Sequence, residues 1–455
     1  MQKIKGKWKL LLYGCAGLGV NMLNLIVGSY LCSALLVGGF DEHIAEWTYL
    51  SKDLVIGAIW AVLVLVSKLI DGIIDLPLAS FTDRLKTPWG RRRPAILMGL
   101  VPMIIAYLFF LLPLTGGESL VNTIWFGVIL SIFYAFYTLT MLTYYATFAE
   151  VTESEEDMVF LSNVKSVCDV IYFIFGYALL PVFISLGINI RIIALIFLPL
   201  VATMLIPLFM LKEEPTNVPG AELKVRTLTL GESLSTSLKN KNFVFWMLVA
   251  CVMNVGLQLF LSGINELFSS TGLNMTVVMA SSFAPVPFTI LLYNKIVSKK
   301  GLGFGYRYAL SIFSAGMLVM FICTQVHTLL SELQLTLIAI VGGILVSFAI
   351  GTFFSVTYTV PSRLAQIEYE KTGKSVSSMF FAVEGLFEGV AAGIATGPIL
   401  TSLKELRSIH LLPIIVIIAC MGACVLSIFL PRSINSLGKK TEGESAAANE
   451  ENAAA

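Results

Sequence analysis

Runs of about 20 or more apolar residues recur along almost the whole of this chain, and each is long enough to cross roughly 30 Å of hydrocarbon as a helix. Lipid offers a backbone no hydrogen bonds, so a spanning segment must satisfy its own N–H and C=O groups, which an α-helix does alone. Twelve spans are expected, near residues 10–36, 54–81, 94–114, 121–149, 159–186, 190–211, 243–269, 274–298, 305–325, 332–358, 376–402 and 409–431. Only 13% of the 455 residues are charged and 57% are hydrophobic, against about 25% charged in soluble domains. The fold class is therefore an all-α membrane protein. The first span is too long for a removable signal peptide and lacks its small-residue cleavage site.

The longest polar connection, residues 212–242, separates two groups of six spans, 1–211 and 243–431, and the low-complexity stretch 432–455 is expected to be a disordered tail. Two six-helix halves around a central site describe the major facilitator architecture. Placing both termini and the even-numbered loops on one side puts 24 of the 30 Lys and Arg residues there, which predicts cytoplasmic termini. His43, His327 and His410 then fall near the outer surface as solvated residues. The seven cysteines all lie in apolar segments, so neither a disulfide framework nor a metal site is expected. No Walker motif, zinc-protease motif or nucleophile elbow is present, which argues against an enzyme.

Charged residues inside the spans carry the functional information, because each costs roughly 2.5–3.5 kcal/mol at a bilayer centre. Lys68, Asp71 and Asp75 fall at i, i+3 and i+7 on one stripe of the second span. One reading is a static Lys68–Asp71 ion pair. The other is a coupling site, since two neighbouring carboxylates repel unless a proton or a cation sits between them. Glu384 and Glu388 repeat the i,i+4 spacing in the eleventh span, beside Gly385, Gly389, Gly393 and Gly397. The glycines suit close approach of a neighbouring helix, and the acids are expected to face a central cavity or to pair with Lys165 or Lys68. Lys165 and Asp169 form a third i,i+4 pair in the fifth span, and Glu266 reads as interfacial. The fourth span presents Tyr137, Tyr144 and Tyr145 with Thr138, Thr140 and Thr143, equally suited to sugar hydroxyls and to helix packing. After the second span, Asp83, Arg84, Arg91, Arg92 and Arg93 are expected to form a cytoplasmic gate.

The segment KLIDGIIDLPLASFTDRLKTPWGRRRP, residues 68–94, resembles the glycoside–pentoside–hexuronide:cation symporters, the melibiose-permease-like branch of the major facilitators. Those proteins carry a D-x-x-x-D pair followed by D-R-x-x-T-x-W-G-R-R-x-P. Tyr13-Gly14, Tyr137-Thr138, Lys165 and Ile367-Glu368-Tyr369-Glu370 add weaker echoes. The chain departs from the family at Val20 and Asn21, where a lysine and a sugar-holding carboxylate are usual, and at Met141, where the cation site has a carboxylate. Tyr145 takes the place of the aromatic residue that stacks on sugar, and Glu388-Gly389 stand where the family has a lysine.

The resemblance implies a secondary transporter of the cell membrane moving a sugar or glycoside by cation symport, with an amphipathic solute or a non-transporting sensor as rival readings. Asp71 and Asp75 would couple the cation. Asn21, Lys68, Thr143, Tyr145, Lys165, Asp169, Glu384 and Glu388 would bind the substrate. No cofactor is expected, and the coupling ion is H⁺ or Na⁺; Met141 removes a hard oxygen ligand and tips the choice toward H⁺ or toward no coupling at all. The expected partners are the lipid bilayer, a small-molecule solute and the coupling cation, not nucleic acid, with the chain acting as a monomer.

Overall fold

A computed structural model describes residues 2–40, 46–153, 155–216, 238–271, 275–372 and 377–436. Among them every regular element is helical, and twelve helices are long and apolar enough to cross a membrane. They are α1 Lys7–Leu35, α2 Gly57–Arg84, α3 Arg92–Phe110, α4 Leu120–Ala146, α5 155–185, α6 Ile190–Met210, α7 Lys241–Ser269, α8 Thr276–Lys300, α9 Leu302–Val326, α10 Glu332–Thr372, α11 377–405 and α12 Ile409–Ser427. Polar caps mark several starts. Ser119 accepts from the Asn122 N–H before α4, Asn189 from Arg191 before α6, and Asn240 from Asn242 and Phe243 before α7. The tenth span, expected to end at 358, continues to Thr372. At 1.5 Å per residue its 41 residues reach well past the roughly 30 Å of hydrocarbon.

The outer faces carry large apolar side chains such as Phe209, Phe288, Leu291 and Ile418, all strongly exposed. Such a surface suits lipid and would be an aggregation hazard in water. Inside, α3 packs on α4 and α4 on α2, while α9 packs on α10 and α12 and α7 on α12. Among the described residues, the contacts that join residues 1–211 to residues 243–431 include α2 with α11, α1 with α7, α5 with α8, and the turn 37–39 after α1 with α11.

The α2–α11 contact follows from the glycines at four-residue spacing. A Cβ added at Gly389 would lie 3.1 Å from the Lys68 carbonyl oxygen, one at Gly393 would lie 2.8 Å from Leu65, and one at Gly397 would strike the Ala61 carbonyl oxygen. A Cβ added at Gly72 of α2 would in return lie only 3.0 Å from the Leu386 Cα. The missing side chains let the two backbones touch. Single wide π-helical turns interrupt α1 at Ile26–Leu31, α5 at Phe175–Leu179 and α11 at Ala395–Ile399, the last holding Pro398. Such turns free backbone groups from the regular ladder and are frequent at functional sites. Here all three border the same cavity.

Candidate functional site

A cavity of about 260 Å³ lies between the two groups of helices. Its polar lining includes Asn21 and Asn24 of α1, Lys68 of α2, Gln258 of α7 and Lys404 of α11, and its rings include Trp60, Tyr134 and Tyr172. Asn24 Oδ1 is buried and finds no hydrogen-bond partner among the described residues.

Around Asn21 five of the residues read from the sequence meet. The Tyr137 hydroxyl donates to Asn21 Oδ1 at 3.0 Å, and Asn21 Nδ2 lies 3.4 Å from both Tyr145 Oη and Asp169 Oδ1. Lys165 Nζ stands 2.6 Å from Asp169 Oδ2 and 5.2 Å from the Tyr145 ring centroid. The fifth helix thus presents a neutral ion pair to an amide of the first, with two tyrosines of the fourth closing the network.

Lys68 occupies the middle of α2. Its ammonium sits 3.7 Å over the Tyr134 ring and 3.8 Å from Asp71 Oδ2, a loose pair with little solvent. The Thr138 hydroxyl donates to Asp71 Oδ1 at 2.5 Å. The Asp75 side chain lies outside the described set. Met141 packs against Gly17 of α1. Thr143 is fully buried, its hydroxyl donates to the Leu139 carbonyl of its own helix at 2.6 Å, and it is not part of the cavity lining. Thr140 and Tyr144 are likewise committed to packing, on the Phe136 and Tyr13 carbonyls.

Glu384 and Glu388 stand apart from the cavity lining. Glu384 is 2% exposed and accepts the Trp246 indole N–H of α7 at 2.8 Å. Its second oxygen and one oxygen of Glu388 are buried without a partner among the described residues. Neither acid meets Lys165 or Lys68, which are held by Asp169 and Asp71.

The basic loop after α2 ties the start of α3 to the segments that follow α4 and α6, at the end that carries the N-terminus. Arg92 Nη2 reaches Glu150 at 2.6 Å and Arg91 reaches it at 3.2 Å. The Glu213 carboxylate accepts the backbone N–H groups of Arg92 and Arg93 at 3.0–3.2 Å, a negative charge placed on the N-terminus of α3. Gly90, at φ +88°, lets the chain pass directly over Glu213. The Asp83 and Arg84 side chains lie outside the described set.

The opposite end holds a cluster that the sequence reading did not bring together. Lys404, just beyond the expected end of the eleventh span, and Glu266, expected at an interface, are 3% and 0% exposed. They pair at 3.1 Å, and Lys404 also donates to the Ser33 carbonyl of α1 at 2.6 Å. The Ser33 hydroxyl donates to Glu266. Nearby, Asn265 donates to the Ser29 carbonyl at 3.0 Å and Tyr177 to the Leu261 carbonyl at 3.2 Å, so α1 and α5 are both fastened to α7. Contacts spaced 84 to 371 residues apart leave no local periodicity to read. The one signal in the sequence was a lysine two residues beyond the expected end of the eleventh span, in the last turn of the observed helix.

The chain spans nearly the full length of several solved transporters with the same fold. It is 16% identical to the nucleoside transporter NupG, covering 93% of this chain and 97% of that one with a TM-score of 0.60. It is 14% identical to a bacterial homolog of the human lysosomal transporter Spinster, covering 94% and 98%, TM-score 0.58. It is also 14% identical to a bacterial homologue of the iron transporter ferroportin, covering 93% and 97%, TM-score 0.56. No curated protein matches the chain. The sequence pattern of one family, described as MFS/sugar transport protein, matches residues 12–406. With twelve spanning helices around a central cavity, the chain is a multi-pass membrane transporter of the major facilitator type and belongs to the MFS/sugar transport protein family.

Proposed function

We propose that this transporter moves a small polyhydroxylated solute, a sugar or glycoside, in the manner of the melibiose-permease-like symporters. The observation that carries the reading is the cavity lining. Amides of Asn21, Asn24 and Gln258 offer both donors and acceptors beside the rings of Trp60, Tyr134 and Tyr172. Paired amides match hydroxyls, ring faces match the apolar face of a sugar, and the unpartnered Asn24 oxygen is an acceptor that a solute hydroxyl would satisfy. Counterflow in proteoliposomes, run against sugars and against amphiphiles, tests it. Competition by amphiphiles alone would replace the sugar reading with a lipid-like solute, and binding without counterflow would make the protein a sensor.

We further propose proton rather than sodium coupling, with Asp71 and Asp75 as the coupling residues. Sodium wants several oxygen ligands, whereas Asp71 already faces one hydroxyl and one ammonium. A proton on Asp71 would instead release Lys68. Uptake under an imposed gradient of each ion decides it: sodium-dependent uptake that disappears in Asp75→Asn would overturn the proposal. The Lys and Arg distribution supports a cell-membrane protein with both termini cytoplasmic.

A further inference from the structure

The Lys404–Glu266 ion pair lies within one half of the molecule, on α11 and α7, yet both of its charges hold one residue of the other half. The ammonium donates to the Ser33 carbonyl oxygen at 2.6 Å, and the carboxylate accepts from the Ser33 hydroxyl. Gly39, just beyond α1, leaves room for both side chains: a Cβ there would lie 2.9 Å from Glu266 and 3.0 Å from Lys404. Phe40 caps the ammonium, 4.9 Å from its ring centroid.

This arrangement suits a clasp that opens repeatedly. Splitting a buried ion pair strands a charge in low dielectric. Moving α1 away from α7 and α11 does not split it, because the two charges travel together and give up only hydrogen bonds to a neutral residue. Water entering the opened end replaces those.

Lys404 also lines the central cavity, so it borders the clasp on one side and the solute on the other. The charged residues of the described lining are Lys68 and Lys404, both cations; the carboxylates that face them, Asp71 and Glu266, stand outside the lining. An anionic oxygen accepts from an ammonium more strongly than a peptide carbonyl does. It is the acceptor able to take Lys404 from Ser33. We propose that Ser33, Lys404 and Glu266 form the latch of this end, and that Lys404 positions the solute and releases the latch by exchanging the Ser33 carbonyl for an anionic group on it, a carboxylate, sulfonate or phosphate.

The proposal rests on the transporter reading but not on sugar recognition or proton coupling. The test uses Ser262→Cys, a cavity-lining position beside the latch, in the full chain with its seven native cysteines replaced. A membrane-impermeant maleimide is applied from the latch side of proteoliposomes. Ser33→Ala should label about fivefold faster than its parent, the shift expected for one lost hydrogen bond, and Ser33→Thr should label like the parent. The paired variant Lys404→Met with Glu266→Leu, which leaves no lone buried charge, should also label faster. Unchanged rates in both Ser33→Ala and the paired variant overturn the latch. Matched solutes then test the exchange: D-glucuronate against D-glucose, and D-gluconate against D-glucitol. The anionic member should speed labelling in the parent and have no effect in the paired variant. Equal action of the neutral member, or no action by either anion, overturns the anionic assignment, while counterflow of the same solutes reports separately whether the chain transports sugars.

Discussion

At the scale of single residues, the acid pair of α11 is the sharpest anomaly. Glu384 makes no ion pair among the described residues, and its hydrogen bond is to the Trp246 indole. Removing that donor with Trp246→Phe leaves a buried carboxyl oxygen unsatisfied, at a cost of about 1–3 kcal/mol, and should lower the melting temperature in detergent. Glu384→Gln keeps an oxygen for the indole and removes any charge the carboxyl carries, which no cation among the described residues offsets, so its melting temperature should hold or rise. A fall as large as that of Trp246→Phe would mean that the charge itself is paired. The same scale shows what the sequence could reveal. The Lys165–Asp169 and Lys68–Asp71 pairs were legible because each lies on one helix face, where spacing alone fixes proximity. Lys404 and Glu266 were not, because a polar residue near the end of a span reads as interfacial until tertiary packing buries it.

At the scale of elements, the glycine face of α11 and the arginines before α3 make contrasting predictions. Gly397→Ala drives a Cβ into the Ala61 carbonyl oxygen, which belongs to a helical backbone and cannot rotate away. Overpacking of this kind costs about 1–3 kcal/mol. Gly422→Ala meets its nearest neighbour, Val252, at an ordinary 3.6 Å, so thermal denaturation should separate the two clearly. Equal stability would mean that α2 and α11 are free to part. The stripe was legible as a packing face from its four-residue repeat; its partner, α2, was not, because periodicity names a face and never what lies opposite. For the loop, Arg92 is buried and binds Glu150 through two nitrogens, which joins the start of α3 to the short helical turn Phe148–Val151 after α4. Arg92→Ala and Glu150→Ala should each destabilise, and the double variant should fall short of their sum by about 0.5–3 kcal/mol. Strict additivity would show that the two residues act independently. The sequence reading expected Asp83, Arg84 and Arg91–Arg93 to form a cytoplasmic gate; among the described residues the arginines' ties to Glu150 and Glu213 lie within the first half.

At the scale of the whole molecule, the two ends differ in kind. The end that carries the N-terminus is braced within the first six helices, while at the other end α1 and α5 are fastened across the cavity to α7 and α11. On the transporter reading proposed above, a fastening across one end turns the site toward the other, so the orientation in the membrane decides which compartment this state faces. Under the cytoplasmic-termini reading proposed above, the excess of Lys and Arg lies at the braced end, and the proposed state is inward-facing. Two exposed positions check this in a cysteine-free chain. Gly116, between α3 and α4 at the fastened end, has no atom within 4 Å of an added Cβ, so Gly116→Cys perturbs nothing. Lys5, at the braced end, is largely solvent-exposed and makes only a 3.8 Å contact with Glu153. In intact cells an impermeant maleimide should label Gly116→Cys at once and Lys5→Cys only after the membrane is permeabilised. The reverse pattern would turn the molecule over. The Ser33–Lys404–Glu266 clasp would then bar the cytoplasm, and solute would enter this state from outside.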